Sequence, residues 1–345
     1  MEQPQKDIAS GMPVPMVAVL TNPHSTTNKK RLPKIRKTIN AAQNVVHFEL
    51  RSIDDIDEAL LLFARAQPSV IIINGGDGTA GAVMAALLYR NPFTVTPPIA
   101  ILPGGKTNMT AADLGLSGAP EKSLSTLLDQ VKKGILDKHL TKRMLIEMDR
   151  GDGQEPAVGL FFGAASIVPS IKWCRAHIYP KGYPNFISHF LAFLVLTKAA
   201  IGLGQTKNVN TSNAMHINVS AGGHFRGKYS AVSITTLDSV VLGLKPYSLV
   251  GKGGLRFSCV EAGGRNILRA IFGLFSGKFS KKYIQGVHVR RASKITIETN
   301  DMVTLDGEFF TPNAGQTLTL RGDKSLTFVT MRKPQKAQFN VKKAK

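Results

Sequence analysis

The residues Gly75-Gly76-Asp77-Gly78-Thr79 carry the densest chemical signal in the chain. Glycines let a backbone take positive φ and come close to a ligand. Asp77 stands inside the turn, where a carboxylate could take a proton, help hold a metal or bind ribose hydroxyls. The β-branched run Ile71-Ile72-Ile73 precedes the turn, and an Ala-rich stretch over 80–88 follows it. That order reads as buried strand, tight turn, helix start. Amides at a helix start favour an anion, so the turn reads as a seat for a nucleotide triphosphate. It is not a Walker A loop, because no Gly-Lys-Ser/Thr closes it. Nor does it have the glycine spacing of a Rossmann fingerprint.

Strands and helices must hold this turn in place. Residues 14–20, 45–50, 70–73 and 98–102 read as strands, and 29–42, 54–66 and 123–133 as helices. Strands alternating with helices argue a parallel sheet covered on both faces, an α/β three-layer domain. Ligands of such sheets bind at the carboxyl ends of strands. Three polar loops fall there: 22–25, 75–79 and 104–108. One site built from all three is the economical expectation, with Asn22, Gly105, Lys106, Thr107 and Asn108 beside the first motif.

After about residue 138 the texture changes. Segments 143–148, 157–162, 214–219, 229–235, 255–260, 294–299 and 316–320 are short, rich in β-formers and separated by Gly, Asn and Asp. They predict a β-rich domain of two packed sheets. The division expected is 14–138 for the α/β domain, 139–330 for the β-rich substrate domain with helical insertions, and 331–345 for a basic tail.

Two stretches interrupt the β-rich region. Residues 186–204 are largely apolar but contain His189 and Lys198, which makes a poor membrane span. They read as a buried helix or, more sharply, a lid that faces lipid, with Lys172, Trp173, Arg175 and Lys181 suited to an interface. In 267–282, Leu268, Ile271, Phe272, Phe275 and Phe279 share one helical face, with Arg269, Lys278 and Lys281 to its sides or behind. Core packing of that face is the expectation, with contact of the basic flanks with lipid headgroups as the alternative.

The chain has 345 residues, 43% hydrophobic and 19% charged, with a net charge of +21. These are globular values, and the charge calls for an anionic partner such as lipid headgroups or phosphorylated ligands. No RNA-reading or helix-turn-helix pattern stands out, so nucleic acid is not the expected partner. Cys174 and Cys259 have no metal-ligand spacing, and the first fifteen residues lack the order of a signal peptide. A reduced, cytoplasmic protein is expected. Oligomeric state is not legible.

With these loops in hand, the chain resembles the diacylglycerol kinase-like lipid kinases, the group with bacterial diacylglycerol, sphingosine and ceramide kinases. Asn22-Pro23, Gly75-Gly76-Asp77-Gly78-Thr79, Leu102-Pro103-Gly104-Gly105-Lys106-Thr107-Asn108 and Leu305-Asp306-Gly307-Glu308 look like the family's four motifs, in the family's order. The resemblance implies an α/β nucleotide-binding domain followed by a β-sandwich, with the active site in the cleft between them. It implies transfer of a phosphoryl group from ATP, with Mg²⁺, to a lipid hydroxyl at a cytoplasmic membrane face. Asp306 and Glu308 resemble the acidic pair that supplies the base, and Asp77 would organise Mg²⁺ or the acceptor. Asp306-Gly307 is also a strong hairpin signal. Lys106 stands where relatives commonly have Thr. Gly253 stands where relatives with Asp-Gly-Leu use the Asp in an accessory metal site, so that site is not expected here. The competing readings are an NAD kinase-like enzyme and a silent lipid-binding relative.

Overall fold

The computed structural model describes residues 14–178, 213–220, 222–240, 243–247, 251–277, 279 and 283–332. The expectations for 186–204, Lys181, Lys278, Lys281 and most of the basic tail lie outside the described residues.

The first sheet has the order β2-β1-β3-β4-β18-β5. Its strands are β1 (Val17–Thr21), β2 (Val45–Glu49), β3 (Val70–Gly75), β4 (Ile99–Pro103), β5 (Leu140–Met144) and β18 (Ser325–Val329). The four N-terminal strands pair in parallel. They are β-branched and covered on both faces, so β1, β3 and β4 are buried along their whole length. Helices α1 (Asn28–Asn40) and α5 (Pro120–Lys132) pack together, as do α2 (Ile56–Ala66) and α3 (Asp77–Tyr89). Helix α2 shows the expected amphipathic stripe, burying Ile56, Ala59, Leu60 and Phe63. Helix α3 is small and apolar on nearly every side, because it also packs against a strand of the β-rich region, β7 (Ala157–Gly159).

The linear division at residue 138 differs from this sheet. Strands β5 and β18 come from either end of the β-rich stretch, yet they pair with each other, and β18 pairs with β4. Phe328, fully buried beside Ile99, explains the return, since its burial completes the core of the first sheet. The texture of 143–148 mixed two strands, β5 and β6 (Ile146–Asp149), that belong to different sheets.

The remaining strands form two antiparallel sheets. One has the order β10-β9-β14-β17-β6-β7, with β9 (Met215–Val219), β10 (His224–Gly227), β14 (Lys294–Glu298) and β17 (Thr317–Arg321). The other has the order β13-β12-β11-β8-β15-β16. Its strands are β8 (Phe161–Ala165), β11 (Tyr229–Thr235), β12 (Leu255–Glu261), β13 (Val287–Ala292), β15 (Val303–Leu305) and β16 (Glu308–Phe310). Alternate residues of both sheets, such as Ile217, Ile297 and Leu320 against Phe162, Val232 and Phe257, enter one shared core.

A buried charge cluster joins the two regions. Asp113 closes the short helix α4 (Met109–Asp113) and is 1% exposed. It accepts from the Ser239 amide at 2.8 Å and meets Arg143 at 3.4 Å and Arg332 at 3.3 Å. Arg143 also reaches Asp238, which Arg256 holds at 2.9 Å. Among the described residues, no helix is long and apolar enough to cross a membrane.

Candidate active site

The three expected loops meet at the carboxyl ends of β1, β3 and β4 and lock to one another. The Asn22 amide donates to the Asn74 carbonyl at 2.9 Å, and the Asn22 side chain donates to Thr79 Oγ1 at 2.9 Å. Asn28, wholly buried, donates to the carbonyls of Asn22 and Asn74 at 2.9 and 3.0 Å. The Gly76 amide donates to Ser25 Oγ at 3.1 Å. Thr27 reaches the other loop, its amide donating to the Gly104 carbonyl at 3.0 Å and its hydroxyl to the Gly105 carbonyl at 2.7 Å. Within that loop Asn108 accepts from the Gly105 amide at 2.7 Å and donates back to its carbonyl at 2.9 Å. Asn22, Thr79 and Asn108, expected to touch a nucleotide, thus spend side-chain bonds on the loops themselves. Thr27 and Asn28 were missed, because nothing in their sequence position separates a latch from an ordinary helix start.

The glycines have a second use. A methyl group on Gly105 would come within 2.7 Å of Gly76 Cα, so the two glycine-rich turns touch backbone to backbone. Helix α3 begins at Asp77 with Gly76 as its N-cap, and no side chain caps it. Lys106 and Thr107 lie partly buried between Gly105 and Asn108.

Asp306 and Glu308 arrive from the β-rich region. Asp306 and Gly307 have φ of 48° and 90° and join β15 to β16, the two-residue hairpin that Asp-Gly favours. The Asp306 carboxylate accepts from the amides of Leu160 and Phe161, both at 2.9 Å. Glu308 is exposed. Its carboxylate lies against Gly78, where any Cβ would overlap it. Helix α6 (Ile167–His177) clamps the turn: Arg175 donates to the Gly307 carbonyl at 2.6 Å, and its guanidinium lies 4.8 Å from the centre of the Phe309 ring. The sequence placed Arg175 at an interface; the structure gives it this hairpin.

All three carboxyls are pushed toward the neutral form. Burial raises Asp77 to about 6, against opposing interactions with the amides of Met109, Thr110 and Asn108 at the start of α4. Burial, then the charge of Asp77, raises Asp306 well above the carboxylate range, against the two amides it accepts from. Burial also raises Glu308, which the Arg175 guanidinium opposes. Acids from distant parts of a chain, held close and desolvated, mark a site of proton chemistry. Among the described residues no group of three His, Cys, Asp or Glu could hold a metal ion. At Gly253, Arg291 donates to the carbonyl through Nε at 3.1 Å and Nη2 at 2.7 Å.

Residues 16–136 match the family model of the diacylglycerol kinase catalytic domain. A curated relative, diacylglycerol kinase 1 of Arabidopsis thaliana, is 33% identical over 115 residues, which are 30% of this chain and 16% of that protein. The match thus spans less than a fifth of that relative. A solved Bacillus anthracis str. Sterne protein, provisionally named a diacylglycerol kinase, aligns over 92% of this chain and 97% of its own, with a TM-score of 0.63 and 17% identity. A structure of a diacylglycerol kinase from the same organism aligns over the same shares, with a TM-score of 0.56 and 16% identity. At that identity the likeness is one of fold. Residues 16–136 are thus similar to the diacylglycerol kinase catalytic domain, and beyond them the likeness is one of fold.

Proposed function

We propose that the protein transfers the γ-phosphoryl group of ATP to a hydroxyl of a membrane lipid, in the cleft where the glycine-rich turns meet the Asp306–Glu308 hairpin. The observation that carries this is the Glu308 carboxylate seated on Gly78, because it sets an acid beside a turn suited to phosphates. The uncapped amides at the start of α3 give the triphosphate its donors. Lys106, on the facing loop, adds a point charge for phosphate.

Glu308 is the proposed base. It is the acid that keeps an exposed surface, and its raised pKa suits a group that must accept a proton from an alcohol. Asp306 positions it: the two amides on its carboxylate fix the hairpin from which Glu308 projects. Asp77 holds the second loop through the amides at the start of α4. A carboxylate has about four acceptor sites, and Asp77 fills them with three amides and the Thr110 side chain, so a metal carried by the nucleotide would reach it only by displacing one of these contacts. Mg²⁺ takes only one or two protein carboxylates alongside phosphate oxygens, so it would be held mainly by the nucleotide. When bound, Mg²⁺ neutralises charge on the triphosphate. A lipid acceptor and the basic charge of +21 support a working position at the periphery of an anionic membrane, on its cytoplasmic side.

The test is transfer of labelled γ-phosphate from ATP and Mg²⁺ to diacylglycerol, monoacylglycerol, sphingosine or ceramide in mixed micelles, with NAD in parallel. Label in a lipid establishes the kinase and names its acceptor. Label in NAD alone moves the protein to the NAD kinases. No label, from folded protein that still binds vesicles, identifies a silent lipid binder.

A further inference from the structure

Asp113 carries a buried charge that the site described above does not use. Its side chain is wholly shielded from solvent, and burying a carboxylate is costly even when it is paired. One oxygen, Oδ1, accepts from the Ser239 amide at 2.8 Å and from the Ser239 hydroxyl at 3.1 Å. The Arg332 guanidinium lies 3.3 Å from the same oxygen, and that of Arg143 lies 3.4 Å from Oδ2. These partners come from three separate parts of the chain: the loop after β11, strand β5 and the exit of β18. All of them converge on the last residue of α4. The carbonyls at that end are held too. Arg332 donates to the Ala112 carbonyl at 3.4 Å, and the Met331 amide and Thr330 hydroxyl donate to the Leu114 carbonyl at 2.7 and 3.1 Å.

The other end of α4 belongs to the site. Asn108, its N-cap, bonds Gly105 in both directions, and its amide faces the Asp77 carboxylate with those of Met109 and Thr110. A helix of five residues does not hold itself, since nucleation is unfavourable and too few bonds follow it. Contacts from outside must fix it, and Asp113 is where they gather. Apolar residues of like volume often stabilise a junction as well as buried ions do. What the ions add is direction, because hydrogen bonds to a carboxylate fix its angle as well as its distance. We infer that Asp113 is a positioning residue for the nucleotide half of the site: it anchors α4, and α4 sets the loop 104–108 and Asp77. Its neighbour Asp238 pairs with Arg143 at 2.5 Å and Arg256 at 2.9 Å, on β5 and β12, and so serves as a control within the same cluster. The inference rests on the phosphoryl-transfer reading for its purpose, but its first test needs no turnover.

The experiment compares wild type with Asp113→Asn, Arg332→Gln and Asp238→Asn, each as the full chain. The first readout is hydrogen exchange over 104–113 without ligand. Asp113→Asn should speed it about tenfold or more, and Arg332→Gln, which removes one partly exposed partner, should speed it less. The second is the Kd of a fluorescent ATP analogue with Mg²⁺, which should rise about tenfold in Asp113→Asn. The third is the split between substrates. Asp113→Asn should raise KM for ATP and lower kcat, and leave KM for the lipid at its wild-type value, because the Glu308 hairpin hangs from β15 and β16 of the third sheet. A general loss of structure would move both KM values. Asp238→Asn should lower the denaturant midpoint and leave exchange over 104–113, analogue binding and both KM values unchanged. Where Asp113→Asn fails to fold, Arg332→Gln decides. Wild-type exchange and analogue binding in the deciding variant overturn the inference. So does an equal change in Asp238→Asn, which would make the cluster a pin for the fold at large. No transfer of phosphate to any lipid, with the exchange pattern as expected, would remove the kinase reading and leave this anchor standing.

Discussion

Asp77 and Glu308 meet at one place but live in different surroundings. Asp77 begins α3 inside the interlocked loops, its carboxyl desolvated and facing the amides that open α4. Glu308 hangs from a hairpin of the β-rich region, exposed on one side and against Gly78 on the other. The first acid is woven into the frame that shapes the site. The second is delivered to the site by that frame. A residue of either kind can be indispensable, for opposite reasons.

The largest effect should come from the delivered acid. Glu308→Gln keeps the shape and removes the proton acceptor, so turnover should fall roughly a thousandfold, with an unchanged thermal midpoint. If turnover survives, Glu308 is not the base. Asp77→Asn should lower turnover as well and also change stability with pH. Burial holds Asp77 at about 6, above its ordinary 3.8. The folded state therefore favours the neutral acid. That contribution is full below the ordinary value and is lost as the pH rises through about 6. The variant should flatten the wild-type decline in unfolding free energy across this window, by an amount on the order of 1–3 kcal/mol. A parallel pair of pH profiles would refute the assignment.

Two glycine substitutions sharpen the contrast. A methyl on Gly105 meets the Gly76 backbone at 2.7 Å, and backbone cannot yield cheaply. Gly105→Ala should cost about 1–3 kcal/mol of stability, read as a lower denaturant midpoint. A methyl on Gly78 meets the movable end of Glu308. Gly78→Ala should leave stability nearly intact and lower kcat. The reverse ranking would mean that the loops, not the hairpin, yield at this contact. The smallest effect belongs to Arg175→Gln. Arg175 opposes the rise in the Glu308 pKa, so its loss should move the acidic limb of the pH–rate profile to higher pH. No movement would separate Arg175 from the base.

Much of the first region was legible. The strand runs, the helix over 56–66 and the three loops at strand ends follow from local periodicity and turn chemistry, which act within a few residues. The pairing of Leu305 with Glu308 follows from Asp-Gly, since few other dipeptides accept two positive φ values in succession. The exposure of Leu268, Phe272 and Phe275 on the helix Gly264–Phe275 was not legible, whereas Phe279, expected on the same face, is buried. A helical stripe of Leu and Phe has the same period whether it meets a core or a bilayer, and only the packing of Ala270 and Gly273 on β12 decides the direction. The short helix Met109–Asp113 was missed because five residues carry almost no period.

The sequence by itself determined the parallel strands, the longer helices between them, the Asp306-Gly307 turn and the four motifs, because each depends on neighbours along the chain. Tertiary structure decided the rest. It brought Glu308 onto Gly78, assigned the side chains of Asn22, Thr79 and Asn108 to the loops, and returned β18 beside β4. These contacts join residues far apart in sequence. Such contacts form only when burial of whole faces outweighs the entropy of closing the intervening chain, and no local pattern of residues encodes that balance.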